Sequence, residues 1–470
     1  MHTDKPHTDK PHIKKTIKHE IKFSGHNNAN KCLELADDFL VSHPELLYWT
    51  ERNDSRKGLF YRYKDGVYKS CSSLEIDNML LDYDPINKSL YLPRSLSDAR
   101  FQETIRNIKR RRFFYREVFN QQNIVNFKNG FFDIIDGDLM PHSMEIVSTI
   151  QLPYFYEPQA DCPLFKKVVF ESLENDIRKI MILQEFMGYC LTQGTKYERG
   201  LFIVGASGSG KSTVLEAIEK MLGHENCSSI RMDMLADARY TGQLLDKLAN
   251  IDNEIPQDMK NYEEALKKIV SGQKITVDTK FIPTYDAFPT CKLIFAANDL
   301  PRISDSSDGI FRRMLLLYFN NVVEKENIDY DLKQKIKENE CPGIFNWAYE
   351  GLKRLNTNRE FTFSETMQKQ VEEVKLINNS IYYFITENYE VTGKENDYIG
   401  FDELYEGYRA FCGKIGAKGI FKVNTFGKEV MKCFVKKIDS SRRSINGIQK
   451  RVYHGLREKS IQKEYASWDD

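Results

Sequence analysis

The chain has 470 residues, 41% of them hydrophobic, and its 68 Lys and Arg are balanced by 68 Asp and Glu to a formal charge of zero. This length suits roughly two to four domains, and the neutral total excludes recognition of nucleic acid through bulk charge, so any basic surface must be local. No apolar run reaches the ~18–20 residues that span a bilayer, the polar N-terminus is not a secretory signal, and the nine cysteines form no C-x-x-C pair, so the expectation is a cytoplasmic protein with buried thiols and no membrane partner.

The chain begins with a repeated polar block, His2-Thr3-Asp4-Lys5-Pro6 and His7-Thr8-Asp9-Lys10-Pro11, which cannot bury a core. Residues 1–25 are therefore expected to be a disordered tail, and 26–120 a domain of mixed, partly helical character with no specific role. Within it, Phe60 to Tyr68 reads as two short aromatic strands about the Asp65-Gly66 turn. Lys109-Arg110-Arg111-Arg112-Phe113-Phe114-Tyr115-Arg116 is basic with interleaved aromatics. That pattern suits either a DNA backbone contact or a solvated helix face with a packed aromatic side. Turns are expected at Asn129-Gly130 and Asp136-Gly137-Asp138, and helical periodicity runs from Phe165 to Leu191. From Leu201 to Phe319 strands and helices alternate, which marks an α/β nucleotide-binding domain. A polar helix from Glu365 to Leu376 then leads to a basic C-terminal module.

The chemistry concentrates at Gly205-Ala206-Ser207-Gly208-Ser209-Gly210-Lys211-Ser212, followed by Thr213. This is G-x-x-x-x-G-K-S between an apolar strand, Leu201–Val204, and a helix, which is the context a P-loop requires. Its glycines let backbone N–H groups reach phosphate oxygens, and the helix N-terminus adds partial positive charge. Lys211 is expected on the β- and γ-phosphates of ATP, and Ser212 on Mg²⁺. About forty residues on, an apolar segment ends in Asp252-Asn253-Glu254: Asp252 is the candidate for the Mg²⁺ shell and Glu254 for the base that orients water. A third strand, Lys292–Ala297, ends at Asn298, suited to hydrogen-bond the γ-phosphate or its attacking water. A fourth, Met314–Phe319, follows Arg312-Arg313, either a surface pair or an arginine that completes a neighbouring subunit's site.

These motifs, in this order, resemble superfamily-3 helicases, the ring-forming AAA+ motors of small DNA viruses, phages and mobile elements. The resemblance is greatest to the poxvirus- and phage-type primase-helicases, whose sensor strand typically ends in N-x-x-P, here Asn298 to Pro301. It extends backward to Asn126-Phe127-Lys128-Asn129-Gly130-Phe131-Phe132-Asp133, Gln151-Leu152-Pro153-Tyr154 and Cys162-Pro163-Leu164-Phe165. It extends forward to Pro342-Gly343-Ile344-Phe345-Asn346-Trp347. The resemblance implies a helicase-proximal collar at 121–195, an AAA+ ATPase at 196–360 and a homo-oligomer, a hexamer. It also implies a DNA-tracking β-hairpin over Ser271–Pro283 with Lys280 and Phe281 at its tip, where Lys280 can contact a phosphate and Phe281 can stack. Arg313, directly before the strand, becomes the arginine finger. Adjacent acids are common in these motors; here Asn253 separates Asp252 from Glu254, and the division of labour between them stays open.

After a linker at 361–380, basic residues dominate, among them Lys436, Lys437, Arg442 and Arg443. Two expected helices, Phe401–Ile415 and Asn424–Phe434, precede a polar loop carrying Arg442-Arg443 and a strand from Ile448 to Tyr453. That is winged-helix order for 381–460, with 461–470 a tail. The helix would read duplex origin DNA while the wing meets phosphates; a solvated basic surface alone also accounts for the charge. The expected whole is α/β: an ATP-driven hexameric helicase and replication initiator holding single-stranded DNA in its channel. Two alternatives remain, a primase-helicase that makes primers in its N-terminal region and an origin-binding protein whose ATPase switches assembly without unwinding.

Overall fold

A computed structural model describes residues 28–50, 58–83, 98–114, 119–120, 123–255, 262–278, 284–300, 309–324, 326, 329–378, 380–414, 420–434, 437–445 and 447–459. The expected tails at 1–25 and 461–470 lie outside these residues. The chain divides into two units, one of residues up to 62 with 70–116, the other of 63–69 with everything from 117.

The N-terminal elements are α1 (Asn28–Ser42), α2 (Ser73–Leu81), α3 (Asp98–Arg111), β1 (Leu46–Thr50), β2 (Gly58–Lys64), β3 (Val67–Cys71) and β4 (Phe113–Phe114), with the β2–β3 turn, residues 63–69, assigned to the second unit. The strands form one sheet in the order β3-β2-β1-β4. Phe39, Tyr48, Phe60, Ile76, Leu80 and Ile108 fill its core. Asp65 and Gly66 take φ of 52° and 83°, the left-handed pair that a two-residue hairpin turn needs. Three residues of the basic run that begins in the last turn of α3 make contacts inside the unit. Lys109 Nζ lies 5.3 Å from the Tyr48 ring and 5.9 Å from that of Phe60, Arg111 pairs with Asp37 at 3.0 Å, and Arg112 donates to Leu40 O at 3.2 Å.

The second unit opens with a three-stranded antiparallel sheet, β5 (Ile124–Phe127), β6 (Gly130–Asp133) and β7 (Leu139–Met140). The helix expected over 165–191 is two helices, α4 (Pro163–Ser172) and α5 (Ile177–Cys190). Glu174 and Asn175 between them take φ of 54° and 56°, which breaks the first helix, and the Asp176 carboxylate caps the second by accepting from Arg178 N and Lys179 N.

The centre of the unit is a parallel sheet of β8 (Gly200–Val204), β9 (Cys227–Ser228), β10 (Ala249–Asp252), β13 (Lys292–Ala297) and β14 (Met314–Tyr318), in the order β14-β8-β13-β10-β9. Both faces are covered, as continuous apolar strands require. Leu201, Ile203, Ile294, Ala296, Leu315 and Leu317 face one core. That core is built with α4, α5, α6 (Lys211–Leu222), α9 (Leu332–Asn339) and α10 (Cys341–Asn358). The alternate residues Phe202, Val204, Leu293, Phe295, Met314 and Leu316 face the other. That second core includes α8 (Glu263–Val270), the antiparallel pair β11 (Ile275–Val277) and β12 (Tyr285–Ala287), and α11 (Glu365–Asn378); the four-residue α7 (Ala238–Thr241) packs on β11.

Helices α5 and α10 approach closely because Gly188 and Gly351 stand at their crossing. A Cβ on Gly188 would meet Ala348 O at 2.3 Å, and one on Gly351 would meet Gln184 O at 2.4 Å. Glu185 is buried between them and accepts from Arg354 Nε at 2.6 Å, Thr362 N at 2.8 Å and Thr362 Oγ1 at 2.6 Å. Another distant carboxylate, Glu340, caps α4 by accepting from Leu164 N at 2.9 Å and Phe165 N at 2.8 Å.

Lys292, 1% exposed at the start of β13, donates to Thr192 O and Thr290 O and lies 4.7 Å from the Tyr189 ring centroid. Burial pushes its pKa down to about 8. The unfolded chain, titrating near 10.4, therefore holds this proton longer than the fold does. The Lys292 contribution to stability is least below pH 8 and rises between pH 8 and about 10.4, by about 2–4 kcal/mol. Buried thiols, among them Cys190 and Cys291, are pushed up to about 12, which lowers stability over the same window. Denaturant unfolding of wild type minus Lys292→Met, read from pH 7 to 10.5, isolates the lysine: the difference is expected to move in favour of wild type as pH rises, and a flat difference would contradict this account.

The C-terminal part comprises α12 (Ser380–Asn388), β15 (Tyr389–Val391), β16 (Tyr398–Gly400), α13 (Phe401–Lys414), α14 (Val423–Cys433), β17 (Asp439–Ile445), β18 (Ile448–His454) and β19 (Leu456–Glu458). Its own core holds Ile381, Phe384, Tyr408, Phe426, Val430 and Tyr453. Arg442 and Arg443, expected in a loop, lie within β17, which pairs with β18 across a turn at Gly447. Among the described residues no helix is long and apolar enough to cross a membrane.

Candidate nucleotide site

The loop between β8 and α6 is shaped by close backbone approach. Gly208 and Gly210 take φ of 84° and 89°, open to glycine and strained for other residues. A Cβ on Gly205 would stand 2.3 Å from Phe319 O, and one on Gly210 would stand 2.3 Å from Ser172 Oγ. Ser212 is exposed in the first turn of α6, whose leading N–H groups have no intrahelical partner. Ala206, Ser207 and Gly208 are exposed along the loop, and Thr213 is half-buried below it. Ser209, 1% exposed, has an Oγ with no hydrogen-bond partner among the described residues.

Register brings the neighbouring strands' ends to this loop. Ala297 pairs with Val204, so Asn298 leaves the sheet level with Gly205. Lys211 Nζ donates to Gly205 O, to Ala206 O at 2.9 Å and to Asn298 Oδ1 at 3.3 Å. Partial burial lowers the Lys211 pKa. One strand farther out, Asp252 ends β10 opposite Phe295, recessed by two residues, about 7 Å. Asp252 is 7% exposed and its Oδ2 has no partner among the described residues; burial raises its pKa, while backbone N–H groups including that of Glu254 oppose the rise. Glu254 itself is exposed. An orphaned carboxylate oxygen, an exposed hydroxyl at a helix N-terminus and a glycine cradle fit a divalent cation and a polyphosphate.

Arg313 is the residue expected as the arginine finger. It is 8% exposed and turned inward: Nε donates to Ser271 Oγ at 2.9 Å, Nη1 to Gly309 O at 2.8 Å and Nη2 to Glu198 Oε2 at 3.1 Å. A tight 3-10 turn over Phe311–Arg313 places Arg312, not Arg313, on the surface. Arg199, which no sequence motif marks, stands beside both; its pKa is lowered by burial and by the charges of Arg312 and Arg313. The pairing of Met314 with Gly200 puts this cluster at the opposite end of the sheet from the P-loop, six residues or about 20 Å away along parallel strands. No arginine side chain spans that distance within one chain.

The segment expected as a hairpin over 271–283 contains β11, which pairs antiparallel with β12 beyond Pro283, Val277 opposite Tyr285; Lys280 and Phe281 lie outside the described residues, as does Lys436. In β17 and β18, Arg442 stands opposite Arg451 and Arg443 opposite Lys450. Like charges directly across an antiparallel pair are destabilising. Two of the four rest on rings, Arg443 4.4 Å from Tyr398 and Arg451 5.2 Å from Phe401. Lys437 is exposed at the foot of this hairpin.

Two family models match parts of the chain, the D5 N terminal like family over residues 37–173 and a family of unknown function, DUF5906, over 203–313. A protein of Acanthamoeba polyphaga mimivirus named "Putative helicase L207/L206" is 23% identical over 247 residues, 50% of this chain and 25% of that protein. The chain thus matches about a quarter of the length of this relative. Among solved structures, the A form apo structure of the NrS-1 C-terminal region aligns with a TM-score of 0.54 at 14% identity, covering 90% of this chain and 99% of that one. A second apo structure of the same region aligns with a TM-score of 0.53 at 12% identity. The fold is shared. The P-loop, Asp252, Asn298 and both Arg312 and Arg313 fall inside the DUF5906 match.

Proposed function

We propose that this chain is an ATP-dependent DNA helicase and replication initiator that works as a ring of identical subunits, a hexamer, on phage or mobile-element DNA. The observation that carries the reading is the 3.3 Å approach of Lys211 to Asn298 across adjacent strand ends, beside the orphaned Asp252 oxygen. Kinship with viral and phage primase-helicases is supported by the D5-type N-terminal match and by the mimivirus relative. Gly205–Ser212 and Thr213 would hold the phosphates of ATP, and Ser212 with Asp252 would hold Mg²⁺, which supplies charge neutralisation at the β- and γ-phosphates. Asn298 orients the attacked end of the triphosphate. Glu254, exposed two residues beyond Asp252, is the base for water. Arg312 is the group that completes a neighbour's site; the AAA+ reading of the parallel sheet rests on this division between strand ends.

DNA is engaged in two places on this reading. Lys280 and Phe281, carried by the β11–β12 stem, track a single strand in the channel. The C-terminal part is a winged helix in which α14 meets the duplex origin and the β17–β18 wing, with Lys436, Lys437, Arg442 and Arg443, meets phosphates. The like-charged cross-strand pairs support a polyanion partner, because phosphate relieves their repulsion. Arg442→Ala with Arg443→Ala is expected to weaken duplex binding and to make its dependence on salt shallower, by about 0.9 in log–log slope for each phosphate no longer neutralised. Filter binding between about 50 and 200 mM salt measures it, and an unchanged slope removes the wing from the interface.

The deciding experiment is strand separation on a forked DNA. ATP-dependent unwinding, absent in Lys211→Ala, is expected. ATP-dependent DNA binding without unwinding would favour an assembly switch instead, and primer synthesis on single-stranded template would favour a primase.

A further inference from the structure

The P-loop strand β8 has unlike neighbours. On one side β13 and β10 bring Asn298 and Asp252 to the end of the site where the γ-phosphate would lie. A triphosphate with its γ end there directs its α-phosphate, and so its nucleoside, toward the other flank, which is β14.

Residues 320–324 leave β14 and pass beside the loop. Val323 N donates to Gly208 O at 3.2 Å, and Val322 Cγ1 lies 3.6 Å from where a Cβ on Gly208 would stand. The flanking amides are turned away toward α4: Asn320 Nδ2 donates to Glu174 Oε2 at 3.1 Å, and Asn321 Nδ2 donates to Glu171 O at 3.1 Å. Farther on, Lys333 and Lys337 of α9 bond to Glu216 of α6 at 2.6 and 3.1 Å. The segment is thus tied to the P-loop and to the end of α4, and α9 beyond it is tied to α6. Val322 and Val323 nevertheless remain 48% and 39% exposed. Scattered exposed valines carry no meaning. A pair fixed by a backbone bond to a phosphate-binding loop is different: it is preformed apolar surface where a planar ring would complete the burial.

We infer that Val322 and Val323 form the wall against which the base of the bound nucleoside triphosphate rests. This rests on the nucleotide reading of Gly205–Ser212 and adds the feature that separates a nucleotide from bare polyphosphate. In this placement the valine side chains meet the base, and their contribution is confined to the nucleoside half of the ligand.

The test compares the binding of ATP and of inorganic tripolyphosphate, each with Mg²⁺, to the full chain. A Val322→Ser/Val323→Ser protein is expected to bind ATP about tenfold more weakly and tripolyphosphate within about twofold of wild type, the size of effect that removing a few apolar groups from a binding pocket gives. Lys211→Ala is expected to weaken both ligands. Both valine positions are exposed, so folding is preserved, and circular dichroism checks it. Unchanged ATP affinity in the serine variant, or equal weakening of both ligands, overturns the wall. If wild type binds neither ligand, the nucleotide reading itself falls, and the inference with it.

Discussion

Replacing Arg312 by alanine is expected to lower ATP hydrolysis about 10³-fold or more while leaving ATP affinity near wild type, the signature of a cation that acts on transition-state charge. Arg312 is exposed at the N-terminal end of β14, whereas the P-loop lies at the C-terminal end of β8 beside it. The charge it could stabilise must therefore belong to another copy. Mixing supplies the sharper readout. Lys211→Ala chains and Arg312→Ala chains, each inactive alone, are expected to recover hydrolysis together, because one supplies the arginine and the other the P-loop. Arg313→Ala should behave differently. Its guanidinium is bonded to Ser271, Gly309 and Glu198, so removing it is expected to cost about 1–3 kcal/mol of stability. A stable Arg313→Ala protein without hydrolysis, beside a fully active Arg312→Ala, would reverse the two roles.

The largest stability effect is expected at Glu185→Ala, about 3–5 kcal/mol, read as a fall in the denaturant midpoint. Glu185 is fully buried, and each of its oxygens is used: Oε1 by Arg354 and Thr362 Oγ1, Oε2 by Thr362 N. Alanine strands the Arg354 guanidinium, whose other bonds run to Met181 O and Gln184 Oε1. It also strands the Thr362 amide at the point where the chain leaves α10 for α11. Glu185→Gln keeps shape and one acceptor and is expected to cost less, about 1–3 kcal/mol. Equal destabilisation by the two variants would mean that packing, not the ion pair, holds the helices together.

The strand–loop–helix at β8 and α6 was legible because its signal is local: strand, glycines, lysine and helix follow one another in the chain. Asn298 was legible as a polar residue ending an apolar strand, but its hydrogen bond with Lys211 depends on the Ala297–Val204 register, which no local pattern encodes. The arginine pair shows the limit. Adjacent residues point in different directions in a 3-10 turn, and only the turn's orientation decides that Arg313 faces inward. The break between α4 and α5 was hidden for a related reason: Glu174 and Asn175 adopt left-handed φ without being glycine. Glu185 sits inside an apolar helical stripe, where sequence offers no sign that its partners lie 169 and 177 positions away. Arg442 and Arg443 read as loop residues because their strand is polar and exposed, and strand patterns are recognised by their buried face.

The parallel run of β8 and β14 has a consequence for how such a protein is controlled. Because the loop and the arginine occupy opposite rims of the same layer, a solitary chain carries two halves that cannot meet. If the proposed function holds, turnover per molecule would climb steeply with abundance, stay negligible when copies are scarce, and switch on where DNA gathers them. Dilution alone would act as an inhibitor, and local crowding on a template as the activator.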